Sequence, residues 1–154
     1  MILYLICDIS GSMSENSKYL IVRNLVRSVE QYYRLGYGTC ELKLISWNNE
    51  ARIIEWNQND EFPPEMLESK DTINTESLIK FLDGQPDGKI LLISDGFLTD
   101  AFKKWKNKLP VDTMRIIKVG ADTDIMLKGK DIFLAEDLFA ALDSWGASPS
   151  GDIA

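Results

Sequence analysis

Asp8, Ser10 and Ser12 stand at alternate positions in Cys7-Asp8-Ile9-Ser10-Gly11-Ser12-Met13-Ser14, directly after the apolar run Ile2-Leu3-Tyr4-Leu5-Ile6. That spacing at the end of a strand aims three oxygen donors at a common point, and Gly11 allows a tight turn between them. Hard oxygen donors suit a small octahedral cation such as Mg²⁺ better than Zn²⁺, which prefers His or Cys. The chain contains no His. Asp and Ser also cap helices, and a helical pattern begins just afterwards, so the motif by itself leaves a plain capping turn as a second reading. Far along the chain a second apolar run, Lys89-Ile90-Leu91-Leu92-Ile93-Ser94-Asp95-Gly96, again ends in an acid and a glycine.

The elements that would position these residues alternate between strand and helix, a pattern that predicts parallel strands with helices on both faces. Residues 2–7 read as the first strand. Ser17 to Leu35 carries Leu20, Ile21, Leu25, Val26, Val29 and Tyr32 or Tyr33 at helical spacing, and Gly36 stops it. Cys40 to Trp47 reads as the second strand, and Asn48-Asn49-Glu50 turns the chain into an antiparallel edge strand from Arg52 to Trp56. Asn57 to Asp71 reads as loop or short helical turns, Ser77 to Asp83 as a short helix and Gly84 to Gly88 as a turn. Lys89 to Ser94 is the fourth strand, followed by a helix from Thr99 to Leu109 that ends at Pro110. Met114 to Val119 and Asp131 to Leu134 supply two more strands, and Glu136 to Trp145 a final helix. Residues 1–145 thus form a single domain, with 146–154 a flexible C-terminal tail.

Composition agrees with one core: 154 residues at 45% hydrophobic content can bury most of the surface of one domain. The apolar start lacks a basic leader and runs straight into the Asp8 motif, so it reads as a strand and not as a signal peptide. No stretch is long enough to cross a bilayer. Cys7 and Cys40 would lie at opposite ends of neighbouring parallel strands, beyond the ~7 Å Cα separation a disulfide tolerates, which fits a reducing, cytoplasmic setting. A formal charge of −7 opposes binding to nucleic acid and to anionic membranes. The one dense basic cluster, Lys103, Lys104, Lys106 and Lys108 around Trp105, reads as a solvated helix face with the aromatic turned into the core. Trp47, Trp56 and Trp145 read as core or sheet-cover residues.

Taken together, the D-x-S-x-S loop at Asp8, the strand-terminal S-D-G at Asp95 and the segment Ser46-Trp47-Asn48-Asn49-Glu50-Ala51-Arg52-Ile53 resemble the von Willebrand factor A domain family, over about residues 1–145. The resemblance implies an α/β fold with a three-layer, Rossmann-like doubly wound sheet of about six strands, mainly parallel with one antiparallel edge strand. It also implies a metal-ion-dependent adhesion site holding Mg²⁺ or Mn²⁺. Asp8, Ser10 and Ser12 match its first element, Asp95 its third, and Thr75 is the best match to the threonine of its central loop. By that resemblance Ser10, Ser12 and Thr75 are direct ligands, while Asp8 and Asp95 act through water. The family usually precedes this threonine with glycines, where this chain has Ile73-Asn74, and Thr72 stands three residues earlier as the other candidate.

Two function classes follow. One is a metal-dependent protein-interaction module whose ion accepts an Asp or Glu from a protein partner, without catalysis, since neither motif contains a His, a Lys or a general base placed for turnover. Met13, Ser14, Asn49, Phe97 and Leu98 flank the strand ends and would rim such a site. The alternative is a Mg²⁺-dependent phosphotransfer or phosphoester-cleaving enzyme. Aspartyl-phosphate hydrolases need a second acid two residues after the nucleophile, and that position is Ser10. Among relatives, the chain looks most like small stand-alone bacterial members that work beside ATPases, kinases or phosphatases in stress, tellurium-resistance or phage-conflict systems.

Overall fold

The computed structural model describes residues 2–36, 40–83, 88–120 and 126–146. Among the described residues the strands and α-helices follow one another as β1 (Ile2–Asp8), α1 (Lys18–Arg34), β2 (Glu41–Trp47), β3 (Ala51–Ile54), α2 (Thr75–Asp83), β4 (Lys89–Ser94), α3 (Asp100–Asn107), β5 (Met114–Lys118), β6 (Ile132–Leu134) and α4 (Leu138–Gly146). The strands make one six-stranded sheet in the order β3-β2-β1-β4-β5-β6. Every neighbouring pair is parallel except β2 with β3, which closes one edge as an antiparallel hairpin. The fold expected from the alternating pattern is the fold observed.

Side chains alternate across the sheet with a period of two and so feed two cores. Leu3, Leu5 and Cys7 of β1, with Leu91 and Ile93 of β4, pack under α1 and α4 against Val22, Val26, Leu138 and Leu142. Tyr4 and Ile6, with Ile90 and Leu92, face α2 and α3 and meet Leu78 and Phe102. Central strands covered on both faces need apolar residues at every position, which is why β1 and β4 read as unbroken hydrophobic runs. Cys7 and Cys40 are free thiols, with β1 and β2 in parallel register and Cys7 opposite Ser46. On the α3 face Trp105 packs against the core while Lys104 and Lys108 stay exposed. No described helix is long and apolar enough to cross a membrane.

Several boundaries differ from expectation for local reasons. The edge strand spans Ala51–Ile54 and not 52–56, because Trp56 leaves the ladder to pack edge-on against Phe62 at 5.8 Å. Helix α2 starts at Thr75, two residues early, since Asn74 Oδ1 accepts the Ser77 N–H at 3.1 Å and caps the first turn. The last helix begins with a single 3₁₀ turn at Ala135–Asp137. Most of the turn expected at Gly84 to Gly88, and the tail from 147 on, lie outside the described residues.

The order of the strands carries the functional geometry. From β1 the chain builds outwards to β2 and β3 on one side, then returns to lay β4, β5 and β6 on the other. The order therefore reverses between β1 and β4, and in open α/β sheets ligands bind beyond the carboxyl ends of the strands at such a switch point. Asp8 is the last residue of β1, and Asp95 directly follows the last residue of β4.

Candidate metal centre

Asp8 closes β1 with its carboxylate buried, at 2% exposure. Its Oδ1 accepts the Ser10 backbone N–H at 2.8 Å and the Ser10 hydroxyl at 2.6 Å, and its Oδ2 accepts the Ser94 hydroxyl at 2.7 Å. Ser94 reaches it because Cys7 pairs with Ile93 one residue earlier in the two strands. Ser94 Oγ in turn accepts the Gly96 N–H at 3.1 Å, in a turn where Gly96 has φ +88°, a conformation that side chains resist. Gly11 differs from expectation. It is not left-handed, and a Cβ there would meet nothing closer than the Asp71 carbonyl at 3.6 Å, so its place in the motif is not explained by a special turn.

The serine hydroxyls are not spent on helix capping. Ser10 precedes a 3₁₀ segment, Gly11–Ser17, and makes no side-chain cap, and neither does Ser17, which precedes α1 with left-handed backbone. Ser14 instead donates to the Gly11 carbonyl at 2.7 Å on the exposed side of the loop. Ser10 Oγ and Ser12 Oγ lie 3.5 Å apart. Adjacent ligands in a Mg²⁺ octahedron are separated by about 3 Å, given metal–oxygen distances of about 2.1 Å, so the two hydroxyls need only a small adjustment to share an ion. Donation of the Ser10 proton to Asp8 leaves that oxygen's lone pairs available to a cation.

Thr75 is buried at 8% exposure as the first residue of α2, whereas Thr72 is exposed. Backbone bonds sew its segment to the rest of the site. Asn74 N–H donates to the Asn48 carbonyl at 2.9 Å, the Trp47 indole N–H to the Asn74 carbonyl at 2.9 Å, Gly11 N–H to the Asp71 carbonyl at 2.8 Å and Lys70 N–H to the Ile9 carbonyl at 2.8 Å. Thr75 Oγ1 is 2.8 Å from Thr99 Oγ1, which also caps α3 by accepting the Phe102 N–H at 3.1 Å. Thr99 was legible in the sequence only as a helix start, and its link to Thr75 arises from the fold.

Asp95, at 1% exposure, faces a residue that sequence reasoning missed. Lys18, the first residue of α1, is fully buried, and its Nζ lies 3.3 Å from Asp95 Oδ2 and 3.3 Å from the Ser12 carbonyl. Burial pushes the Asp8 carboxyl above the ordinary carboxylate range; the hydrogen bonds from Ser10 and Ser94 pull it back, and the neighbouring Asp95 charge adds to the rise. Of the rim residues expected from sequence, Ser14, Asn49 and Phe97 are exposed, Phe97 by 54%. Met13 and Leu98 are instead buried in the two cores, so they anchor their loops and do not face a partner. Asp8, Ser10 and Ser12 are thus brought together, with Asp95 beside them across Lys18 and Thr75 linked to Thr99; the side-chain donors expected as ligands are all oxygen, a chemistry that suits Mg²⁺ or Mn²⁺ better than Zn²⁺. Among the described residues no group of three or more His, Cys, Asp or Glu side chains gathers to hold a metal.

No protein-family model matches the chain, and no curated protein does. Solved structures do. A von Willebrand factor type A protein from Catenulispora acidiphila aligns over 95% of this chain with TM-score 0.56 and 13% identity. The chain has the von Willebrand factor A fold. An aerotolerance-related membrane protein from Bacteroides fragilis aligns over 78% of the chain, with TM-score 0.50 and 15% identity, and proximal thread matrix protein 1 from the mussel byssus over 94%, with TM-score 0.53 and 10% identity. The chain spans 42%, 67% and 44% of the lengths of these three. In this von Willebrand factor A fold the β1 and β4 ends, the Thr75 helix start and the Gly11–Ser17 loop converge on one end of the sheet.

Proposed function

We propose that the chain is a metal-dependent protein-interaction module. Ser10, Ser12 and Thr75 hold one Mg²⁺ or Mn²⁺ directly, Asp8 and Asp95 stand behind them through water, and a partner's Asp or Glu completes the coordination. The observation that carries this reading is the double use of Asp8. Its oxygens take the protons of Ser10 and Ser94, which fixes the Ser10 oxygen as an acceptor for a cation beside the Ser12 hydroxyl. When bound, the ion supplies a Lewis-acidic contact for a carboxylate. Because the direct ligands are neutral hydroxyls, its charge is left largely uncompensated, which favours an anionic group from outside.

Binding without turnover is supported by the side chains present. The sequence has no His, and the lysine nearest the site is engaged with Asp95 and the Ser12 carbonyl. Exposed Phe97, Ser14 and Asn49 around the site offer one apolar and two polar contacts to supplement the single carboxylate. By resemblance to small bacterial members of the family, the partner belongs to an intracellular system that includes an ATPase, kinase or phosphatase.

The test is a pull-down with the wild-type chain in Mg²⁺, in EDTA, and with Ser12→Ala in Mg²⁺. Recovery of the partner should fall at least about tenfold in the last two conditions, as loss of one ligand contact worth about 1.4 kcal/mol or more would give. A partner recovered equally in all three would bind another face of the domain.

A further inference from the structure

Lys18 breaks two local rules at once. A lysine is almost never fully buried unless paired, and the N-terminal turn of a helix, where the backbone dipole is positive, disfavours a cation. Yet Lys18 is 0% exposed and opens the seventeen-residue helix α1, behind a Ser17 whose side chain makes no cap. Conflicts of this kind between local preference and global structure are expected at functional sites. Its ammonium lies 3.3 Å from Asp95 Oδ2 and 3.3 Å from the Ser12 carbonyl, between the two loops that hold the candidate ligands. That distance is longer than the about 2.7–2.9 Å of a tight ammonium–carboxylate pair, and Asp95 Oδ1 also accepts the Phe97 N–H at 3.4 Å.

Resting on the metal-site reading above, we propose that Lys18 is a resident cation of the site, which competes with the divalent ion for Asp95 and so sets both metal affinity and the demand for a partner carboxylate. A metal-loaded site needs both carboxylates deprotonated, and Asp8 and Asp95 in that form sum with the Lys18 ammonium to one formal negative charge. A divalent cation converts that to one net positive charge, which a single incoming carboxylate cancels. Without the ammonium the loaded site would be neutral and would bind metal more tightly but carboxylate less avidly. Buried like charges within a few ångströms repel far more than they would in water, so the effect on affinity is large.

The test uses Mn²⁺ as the probe, titrated calorimetrically into wild type, Lys18→Met and Lys18→Gln, in chloride and in acetate at equal ionic strength. Lys18→Gln retains an amide that can still bond Asp95 and the Ser12 carbonyl, which guards against a variant that fails to fold. Both variants should bind Mn²⁺ about tenfold or more tightly than wild type. Acetate should tighten Mn²⁺ binding to wild type more than to either variant. Binding by the variants alone, with wild type too weak to measure, would support the proposal equally. Mn²⁺ binding that is unchanged or weakened in both variants would overturn it while leaving the metal site standing, because Lys18 would then be a scaffold for Asp95. No Mn²⁺ uptake by any of the three proteins would overturn the metal-site reading itself and this inference with it.

Discussion

Asp8→Asn is expected to abolish the stabilisation that Mg²⁺ gives the wild-type chain, while leaving the protein in EDTA at least as stable as wild type. Anything that binds the folded state alone raises its melting temperature by linkage, and saturating ligand at about a hundred times its Kd contributes about 2.7 kcal/mol. The wild type should show that rise and the variant should not. The second half of the expectation follows from burial. Asp8 sits at 2% exposure near Asp95, and burial raises its pKa. The folded chain therefore holds that proton more tightly than the unfolded chain. Its contribution to stability is fully present below the unfolded value of about 4 and is lost as pH rises through the folded pKa, so the buried acid costs stability as pH climbs above the unfolded value. Asparagine keeps an oxygen for the Ser10 N–H and hydroxyl and removes the buried charge. Thermal melts in EDTA from pH 4 to 8 should show the variant gaining on wild type as pH rises. A variant clearly less stable than wild type in EDTA at neutral pH would mean that Asp8 is retained for the fold and not for a ligand.

The largest effect on stability is expected at Trp47. Its side chain is fully buried at the end of β2, its ring lies 5.6 Å from that of Phe102, and its indole N–H donates to the Asn74 carbonyl. Trp47→Ala should cost about 3–5 kcal/mol, a large part of the roughly 5–15 kcal/mol that holds a domain together. Trp47→Phe keeps most of the packing and removes one of two donors to the Asn74 carbonyl, the Ser77 hydroxyl remaining at 2.8 Å, at a cost of about 0.5–1.5 kcal/mol. Because Asn74 immediately precedes Thr75, the Phe variant should also weaken Mg²⁺ binding at a given folded fraction. Urea denaturation with and without Mg²⁺ separates the two effects. A loss below about 1 kcal/mol for Trp47→Ala would show that the α2 face of the sheet closes over the cavity and that Trp47 does not position Thr75.

The fold was open to sequence reading because its central strands are covered on both sides. The β1 and β4 runs have no polar interruption, and the turn at Asn48-Asn49-Glu50 forms as its residues suggest, with Asn48 N–H donating to the Glu50 carbonyl at 3.0 Å. The positions of Asp8 and Asp95 at the two strand ends were legible for the same reason: an acid directly after an apolar run marks where the strand stops, and there its buried carboxylate must be met by polar groups, as Asp8 is by Ser10 and Ser94. Lys18 was not legible. At the head of an amphipathic helix a lysine reads as surface, and its burial depends on Asp95, 77 residues away in sequence. Met13 and Leu98 failed as rim residues because a loop that crosses a sheet end needs an apolar anchor, and periodicity says nothing about which loop residue turns inward. Thr75 became the first residue of α2 because the Asn74 side chain caps that helix, a local effect that outweighs the apolar spacing from Leu78 onward.

The central claim, one divalent ion beyond the ends of β1 and β4, is tested most directly by an anomalous difference map from crystals grown with Mn²⁺. The account predicts a single strong peak about 2.0–2.2 Å from both Ser10 Oγ and Ser12 Oγ, with Thr75 as the third protein ligand and Asp8 and Asp95 behind it through water. A peak elsewhere, or none at this end of the sheet with Mn²⁺ at millimolar concentration, would contradict it.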